Sequence, residues 1–207
     1  MSECGRRVDY RPPRQAARPV PGGGYSMSGD GVEVAHPLFR EEGDGAIPIS
    51  PLQFTMIKIP SLKGLILNES WHSRLPHIRN SQGCLFLGLQ YSGEFWGVAI
   101  LGRPIARLFN DRPYLELRRM ALRDGIPKNT GSRFLRLIAI YIRKNSPSIS
   151  TLISYQDSAV HDGTIYKAAG WKAIGFRKGG KLAWDSPTRK RNLCQADGDK
   201  IRWELAL

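Results

Sequence analysis

From Ile57 onward the chain divides into short apolar runs separated by Gly, Pro and polar clusters, the pattern of a domain built around one sheet. "KGLIL" (63–67) predicts a strand, and Pro76 ends any helix begun in the polar "NESWHSRLPHIRN" that follows. "GCLFLGLQY" and "EFWGVAILG" predict two strands joined at Ser92-Gly93, a dipeptide suited to a tight hairpin turn. "YLELRRMAL" (114–122) predicts another strand. In "RFLRLIAIYIRKN", Phe134, Leu137, Ile138 and Tyr141 fall at i, i+3, i+4 and i+7, the spacing of one buried helical face. Arg143 and Lys144 suit the last turn of that helix, and Pro147 stops it. "ISTLISY" (149–155) predicts a β-branched strand. Ile165, Ala168 and Ala169 then give a small apolar stripe on a short helix that Gly170 closes as a left-handed cap. "WKAIGF" and "KLAW" supply a closing strand or hairpin. This order reads as α/β or α+β, one sheet with helices on its faces, and no internal repeat is present.

Residues 1–50 break the pattern: Pro and Gly interrupt "RPPRQAARPVPGGGYSMSGDG", and arginine recurs with no apolar face to bury. They read as a disordered basic arm, residues 51–187 as the folded domain and 188–207 as a basic tail. Across 207 residues, 31 Lys and Arg against 18 Asp and Glu leave a net charge of +13, which points to a polyanionic partner. Cys4, Cys84 and Cys194 are odd in number and widely spaced, unlike a disulfide framework or a zinc ribbon, so a reducing, intracellular setting is expected. The basic N-terminus runs into Pro and Gly, and no apolar run approaches the ~18 residues of a membrane span, so a soluble protein is expected.

Four places carry candidate chemistry. The loop "KNTGSR" before the long helix offers Asn129, Thr130, Gly131, Ser132 and Arg133, with Lys128 beside them. Its amides at a helix start either receive a phosphate or only need an ordinary N-cap. Arg119 alternates with Leu115, Leu117 and Ala121 on an apolar row, so it must reach the sheet's edge or find an anion: a ligand, or a carboxylate such as Glu94 or Asp157. Asp157 and His161 follow a strand end, where open α/β sheets hold ligands, although each alone also suits a helix cap or the surface; Tyr166 falls away from the Ile165 stripe, so that either its hydroxyl faces the loop or its ring is a half-buried packing group. His72 offers a metal or proton-transfer ligand, whereas His77 after Pro76 reads as a loop residue. A zinc-deaminase signature, a Gly-Lys-Ser phosphate loop and a Gly-x-Ser-x-Gly elbow are all missing from the sequence.

Taken in order, "WHSRLP", "GVAILGRPIARLF", "YLELRRMAL", "NTGSRFL" and "YQD...HDGTIYKAAGW" resemble the Mom family of Mu-like bacteriophages, over roughly residues 57–185. The resemblance implies a GNAT-like fold, a single mixed, largely antiparallel sheet with helices on its faces. It also implies conversion of adenine in DNA to a carbamoylmethyl derivative at the exocyclic amino group, which protects phage DNA from restriction in the cytoplasm of the bacterial host. By matching positions it implies functional roles for Arg119, Ser132, Asp157 and Tyr166. Arg119 and Ser132 would hold an anion, Asp157 would orient the target and Tyr166 would move a proton. His72 with Asp157 would hold iron(II), with His161 completing the set. "NTGSRF" takes the place of the pyrophosphate loop for acetyl-CoA or another acyl or carbon donor, although it departs from the usual (Arg/Gln)-x-x-Gly-x-(Gly/Ala) spacing.

A group bonded to nitrogen through CH2 is not the product of simple acetyl transfer, so the fold does not settle the reaction. The partner expected is double-stranded DNA with the adenine flipped out, and no membrane. Arg74, Arg103, Arg107 and Arg118 are the leading phosphate contacts, supported by Arg112, Arg123, Arg133, Arg136 and the "TRKR" at 188–191. The chief alternative is an ordinary GNAT N-acetyltransferase acting on a small-molecule or protein amine. A basic DNA-binding accessory without chemistry is a further reading. The sequence carries no signal for oligomeric state.

Overall fold

Ser92 and Gly93, where the alternating runs reverse, both take positive φ, 47° and 79°, as a two-residue hairpin turn requires. In the computed structural model, which describes residues 47–72, 75–78, 81–109, 111–178 and 198–207, this turn joins β2 (Leu85–Tyr91) to β3 (Glu94–Gly102). The remaining strands are β1 (Thr55–Lys58), β4 (Tyr114–Leu122), β5 (Thr151–Asp157), β6 (Lys172–Arg177) and β7 (Lys200–Ala206). They form one seven-stranded sheet in the order β1-β2-β3-β4-β5-β7-β6. All neighbours are antiparallel except β4 and β5. The expected mixed, largely antiparallel sheet is therefore present.

Helix α2 (Thr130–Asn145) lies on one face, where Phe134, Leu137, Ile138 and Ile142 are buried and Tyr141 packs partly. The short α3 (Thr164–Ala168) joins it there through Ile165 and Tyr166. Gly170 follows at φ 85°, the left-handed cap expected of it. Helix α1 (Ser61–Trp71) covers the opposite face against Phe86, Val98, Ile100 and Ala121.

Helix α1 overturns the strand expected at 63–67. Five apolar residues do not distinguish the two periods. Here the run continues through Asn68–Trp71, with Leu62 and Ile66 outward and Leu67 and Asn68 buried. Gly64 lets the helix close on β2: a Cβ there would collide with the Phe86 ring. The segment "KLAW" lies outside the described residues, as do the arm to residue 46 and "TRKR". Lys200–Ala206, within the stretch read as a tail, is instead β7, inserted between β5 and β6. No helix among the described residues is long and apolar enough to cross a membrane.

Candidate active site

The parallel pairing of β4 and β5 stops early. Tyr114 to Leu117 pair with Thr151 to Ser154, but β4 continues to Leu122 against β3 and β5 to Asp157 against β7. Beyond Leu117 and Ser154 the two strands part, which opens the sheet centre and leaves backbone groups there to be satisfied by other means. Ser154 is buried at the point of parting and donates from Oγ to the Leu117 carbonyl at 3.2 Å. The Tyr166 hydroxyl lies 2.9 Å from the same Oγ.

Tyr166 reaches this point because α3 packs inward. Its ring stacks on Trp203 of β7 at 5.3 Å and 10°, and meets Trp171 edge-on at 5.5 Å. This corrects the expectation that its hydroxyl faces the loop. The stripe of Ile165, Ala168 and Ala169 leaves room for an aromatic on a one-turn helix, and Trp203, distant in sequence, supplies the surface that holds it. Burial pushes the phenol pKa up, with Ser154 acting in the opposite sense, so the group stays protonated at neutral pH. Gly163, at φ 71°, makes the inward turn possible: a Cβ there would collide with Trp203 and lie 2.6 Å from Gln156 Oε1. Gln156 Oε1 accepts from Trp203 Nε1 at 2.6 Å, and its amide donates to the His161 carbonyl, so one side chain fixes both the stacked indole and the loop carrying His161.

On this same α2 face the long helix begins without a side-chain cap. Asn129 is left-handed, with φ 68°, and Ser132 Oγ donates back to the Asn129 carbonyl at 2.9 Å. Thr130 Oγ1 donates to the Pro127 carbonyl at 2.7 Å. Thr130 and Arg133 amides find the carbonyls of Pro127 and Asn129, whereas those of Gly131 and Ser132 find no acceptor among the described residues. Two open amides, no acidic residue in the first turn and the positive end of a 16-residue helix suit an anion. Arg133 is partly buried with its Nε unpaired.

The other face carries a different set. Arg119 does not alternate with Leu117. Ile100 pairs with Arg119 but Leu101 with Leu117, so β4 bulges at Arg118 and Arg119 turns to the α1 face with Ala121. That face also holds Glu116, which the sequence reading passed over; its signal was a carboxylate inside an apolar strand. Glu116 is buried, accepts the Ile105 amide on Oε2 at 2.8 Å, and has its pKa raised by burial against the pull of that bond and of Arg118, Arg119 and Lys200. Arg119 donates from Nη1 to the Arg118 carbonyl at 2.7 Å, but its buried Nε has no acceptor. The carboxylate acting most directly on it is Glu116; Glu94 instead pairs with Arg123 at 2.8 Å.

His72 ends α1 beside Arg119. Asn68, fully buried, donates to the Pro76 carbonyl at 2.7 Å and so holds the chain that follows the helix. The Leu75 amide donates to His72 Nδ1 at 3.2 Å. Burial, then the charges of Arg119 and of His161, lowers the His72 pKa below its usual 6.5. Asp157, at the end of β5, accepts the Ala159 amide on Oδ1 at 3.1 Å, while its carbonyl takes the His161 amide at 3.2 Å. Asp157 thus shapes the turn that carries His161, whose charge acts on His72.

The implied iron site does not fit these residues. A His72 Nδ1 that accepts a backbone proton places the neutral ring's own proton on Nε2, leaving no lone pair for a metal, and its charged neighbour is a guanidinium. No group of three or more His, Cys, Asp or Glu among the described residues is arranged to hold a metal ion. Of the arginines expected to meet phosphate, Arg103 is exposed, Arg107 lies in a short 3-10 turn and Arg74 falls outside the described residues. Arg118 is engaged locally, donating to the Arg103 carbonyl at 2.6 Å and to Cys84 Sγ at 3.4 Å.

The Mom protein family matches residues 53–193, which takes in every strand and helix named here from β1 to β6. The chain belongs to the Mom protein family. One curated relative is the methylcarbamoylase Mom of Escherichia phage Mu, 33% identical over 84 residues; that stretch is 39% of this chain and 35% of the relative, so the likeness spans about a third of the relative's length. Solved structures show the fold of this Mom-family chain to be GNAT-like. An acetyltransferase of Bacillus subtilis in complex with CoA is similar at TM-score 0.53 and 14% identity, covering 75% of this chain and 98% of that one. An aminoglycoside acetyltransferase in complex with coenzyme A and kanamycin is similar at TM-score 0.52 and 14% identity, covering 74% and 94%.

Proposed function

We propose that the chain is a DNA-modifying transferase that places a carbamoylmethyl group on the exocyclic amino group of adenine and so shields phage DNA from host restriction enzymes. The observation that carries the reading is the splay between β4 and β5, with an anion-receptive helix start and Tyr166 on one face and Glu116, Arg119 and His72 on the other. Family membership supports the group transferred, because the phage Mu relative is named a methylcarbamoylase; adenine in DNA as its acceptor is part of the proposal.

The two faces divide the work. The amides of Gly131 and Ser132, without acceptors among the described residues, and Lys128 and Arg133 beside them would hold the pyrophosphate of a CoA-type carrier. A carrier held there would supply the activated carbon group at the splay. Adenine enters from the α1 face, extruded from the duplex because its amino group is otherwise paired. Arg119 Nε, buried and without an acceptor, takes the carbonyl of the carbamoylmethyl group. The amino nitrogen bonds to the CH2 carbon of an electrophilic carbamoylmethyl donor, and the leaving group departs with the bonding electrons. Glu116, its pKa raised by burial, takes the amine proton. His72 donates a hydrogen bond through Nε2, and Tyr166, held protonated, hydrogen-bonds the leaving group. Asp157 and His161 form the rim on the same side.

A second reading, an N-acetyltransferase acting on a small-molecule or protein amine, draws on the CoA-bound solved structures that share the fold. One experiment separates the two. Plasmid DNA from bacteria expressing the chain is digested to nucleosides and analysed by mass spectrometry, while the purified protein is assayed for acetyl-CoA hydrolysis with and without amine acceptors. A carbamoylmethylated deoxyadenosine supports the first reading. Unmodified deoxyadenosine together with amine-dependent acetyl-CoA turnover replaces it with the second.

A further inference from the structure

The connection from β3 to β4, residues 103–113, has a feature that neither its charge nor the sheet explains. Ile105 and Leu108 stand 63% and 71% exposed, three residues apart, on a loop fastened at several of its described residues. The Ile105 amide is bound by the buried Glu116 carboxylate, and the Arg103 carbonyl by Arg118, so the loop's first half is fastened to β4 beside Arg119. Phe109 is 3% exposed, stacked on Tyr114 at 5.3 Å and capped by the guanidinium groups of Arg112 and Arg202 at 5.9 and 5.4 Å, which anchors the second half. Arg103 and Arg112 lie exposed on either side.

A loop fastened at Arg103, Ile105 and Phe109 that keeps two branched aliphatic side chains in solvent, flanked by the exposed Arg103 and Arg112 and tied to the strand of the candidate site, has the form of a wedge for a stacked polyanion. Proteins that kink or open a duplex insert such apolar side chains between base steps, while neighbouring cations hold the phosphates. We propose that Ile105 and Leu108 enter the DNA base stack next to the target and fill the space that the extruded adenine leaves. The net charge of +13 selects DNA over a second copy of this chain as the occupant, since two such loops would bring like charges together. This inference rests on the DNA-modifying reading for its substrate, but its test does not depend on the chemical step.

The test uses the full chain, its Ile105→Ser/Leu108→Ser variant, and short duplexes in which 2-aminopurine replaces one adenine. Both substituted positions are exposed, so circular dichroism and the melting temperature should match the wild type. Wild-type protein should raise 2-aminopurine fluorescence on the paired duplex, and the variant should give less than about a tenth of that rise while its affinity by anisotropy falls by less than about threefold. When 2-aminopurine lies opposite an abasic site, where no partner must be displaced, the two proteins should give the same rise. Equal fluorescence on the paired duplex, no rise with the wild type, or equal loss of binding to both duplexes would overturn the wedge. So would a change in sedimentation mass between wild type and variant, which would assign the loop to a second copy. Unstacking without any modified nucleoside in cells would leave the wedge standing and remove the proposed chemistry instead.

Discussion

The Tyr166 hydroxyl and Ser154 Oγ lie 2.9 Å apart, and Ser154 Oγ also reaches the carbonyl of Leu117, the last β4 residue paired with β5. A helix that follows β5 is thereby tied to the point where the sheet divides. The hydroxyl that would meet a bound donor is held in place by the backbone that forms the cleft.

Replacing either member of this pair should separate stability from chemistry. Ser154→Ala strands a buried phenol and should cost about 1–3 kcal/mol in urea unfolding, whereas Tyr166→Phe, which keeps the ring stack on Trp203, should cost about 1 kcal/mol. Both should abolish adenine modification. The raised Tyr166 pKa also fixes a sign: its contribution is full below the ordinary value of 10.0 and is lost as pH climbs through the higher folded value. Thermal melts across alkaline pH should show that loss in the wild type and not in Tyr166→Phe.

The His72 imidazole should report on Arg119. Its pKa is lowered by burial first and by the Arg119 charge second, so Arg119→Met should move it back toward 6.5. Because the folded value is the lower one, the unfolded chain takes up the proton first, and this contribution to stability is lost as pH falls below 6.5. Imidazole chemical shifts followed by NMR across that range check both statements. An unmoved His72 titration in Arg119→Met would separate the two residues.

Gly163→Ala tests whether the inward turn before α3 sets up the site. An added methyl meets Trp203 and Gln156 at a positive φ, which should cost about 1–3 kcal/mol and disturb Tyr166 with it. The expected readout is a lower melting temperature together with increased fluorescence quenching of the tryptophans by acrylamide.

How far the site could be read from the sequence follows from the range of the interactions. Local ones were legible: the i, i+3, i+4 face of α2 is buried, the Ser92-Gly93 turn has the required φ values, and the β4 boundaries Tyr114–Leu122 coincide with the apolar run. Arg119 was placed on the wrong face because strict alternation does not foresee a bulge at Arg118, which is set by pairing with β3. Glu116 stayed hidden for the same reason, its role depending on Arg119 turning toward it. Tyr166 was turned outward because Trp203, its stacking partner, lies in β7, some 40 residues on along the chain. The iron site, carried by resemblance alone, failed on a hydrogen bond from Leu75 to His72 that no motif encodes.

Binding to DNA should be strongly salt-dependent. Each phosphate neutralised contributes a slope of about −0.9 to log affinity against log salt on duplex DNA, so Arg103→Ala should reduce the slope by about 1 with little effect on sequence preference. Fluorescence anisotropy over a salt series gives the slope directly, and a flat series would contradict phosphate contact.

On the proposed function, adenine is modified at the β4/β5 splay, with Glu116 and Arg119 on one face and Tyr166 on the other. The decisive comparison is by mass spectrometry of nucleosides from plasmid DNA of cells making the wild type, Glu116→Gln, Arg119→Met and Tyr166→Phe at matched levels of folded protein. Carbamoylmethylated deoxyadenosine should appear with the wild type and almost none with the three variants. Modification at the wild-type level in all three would place the chemistry elsewhere on the chain.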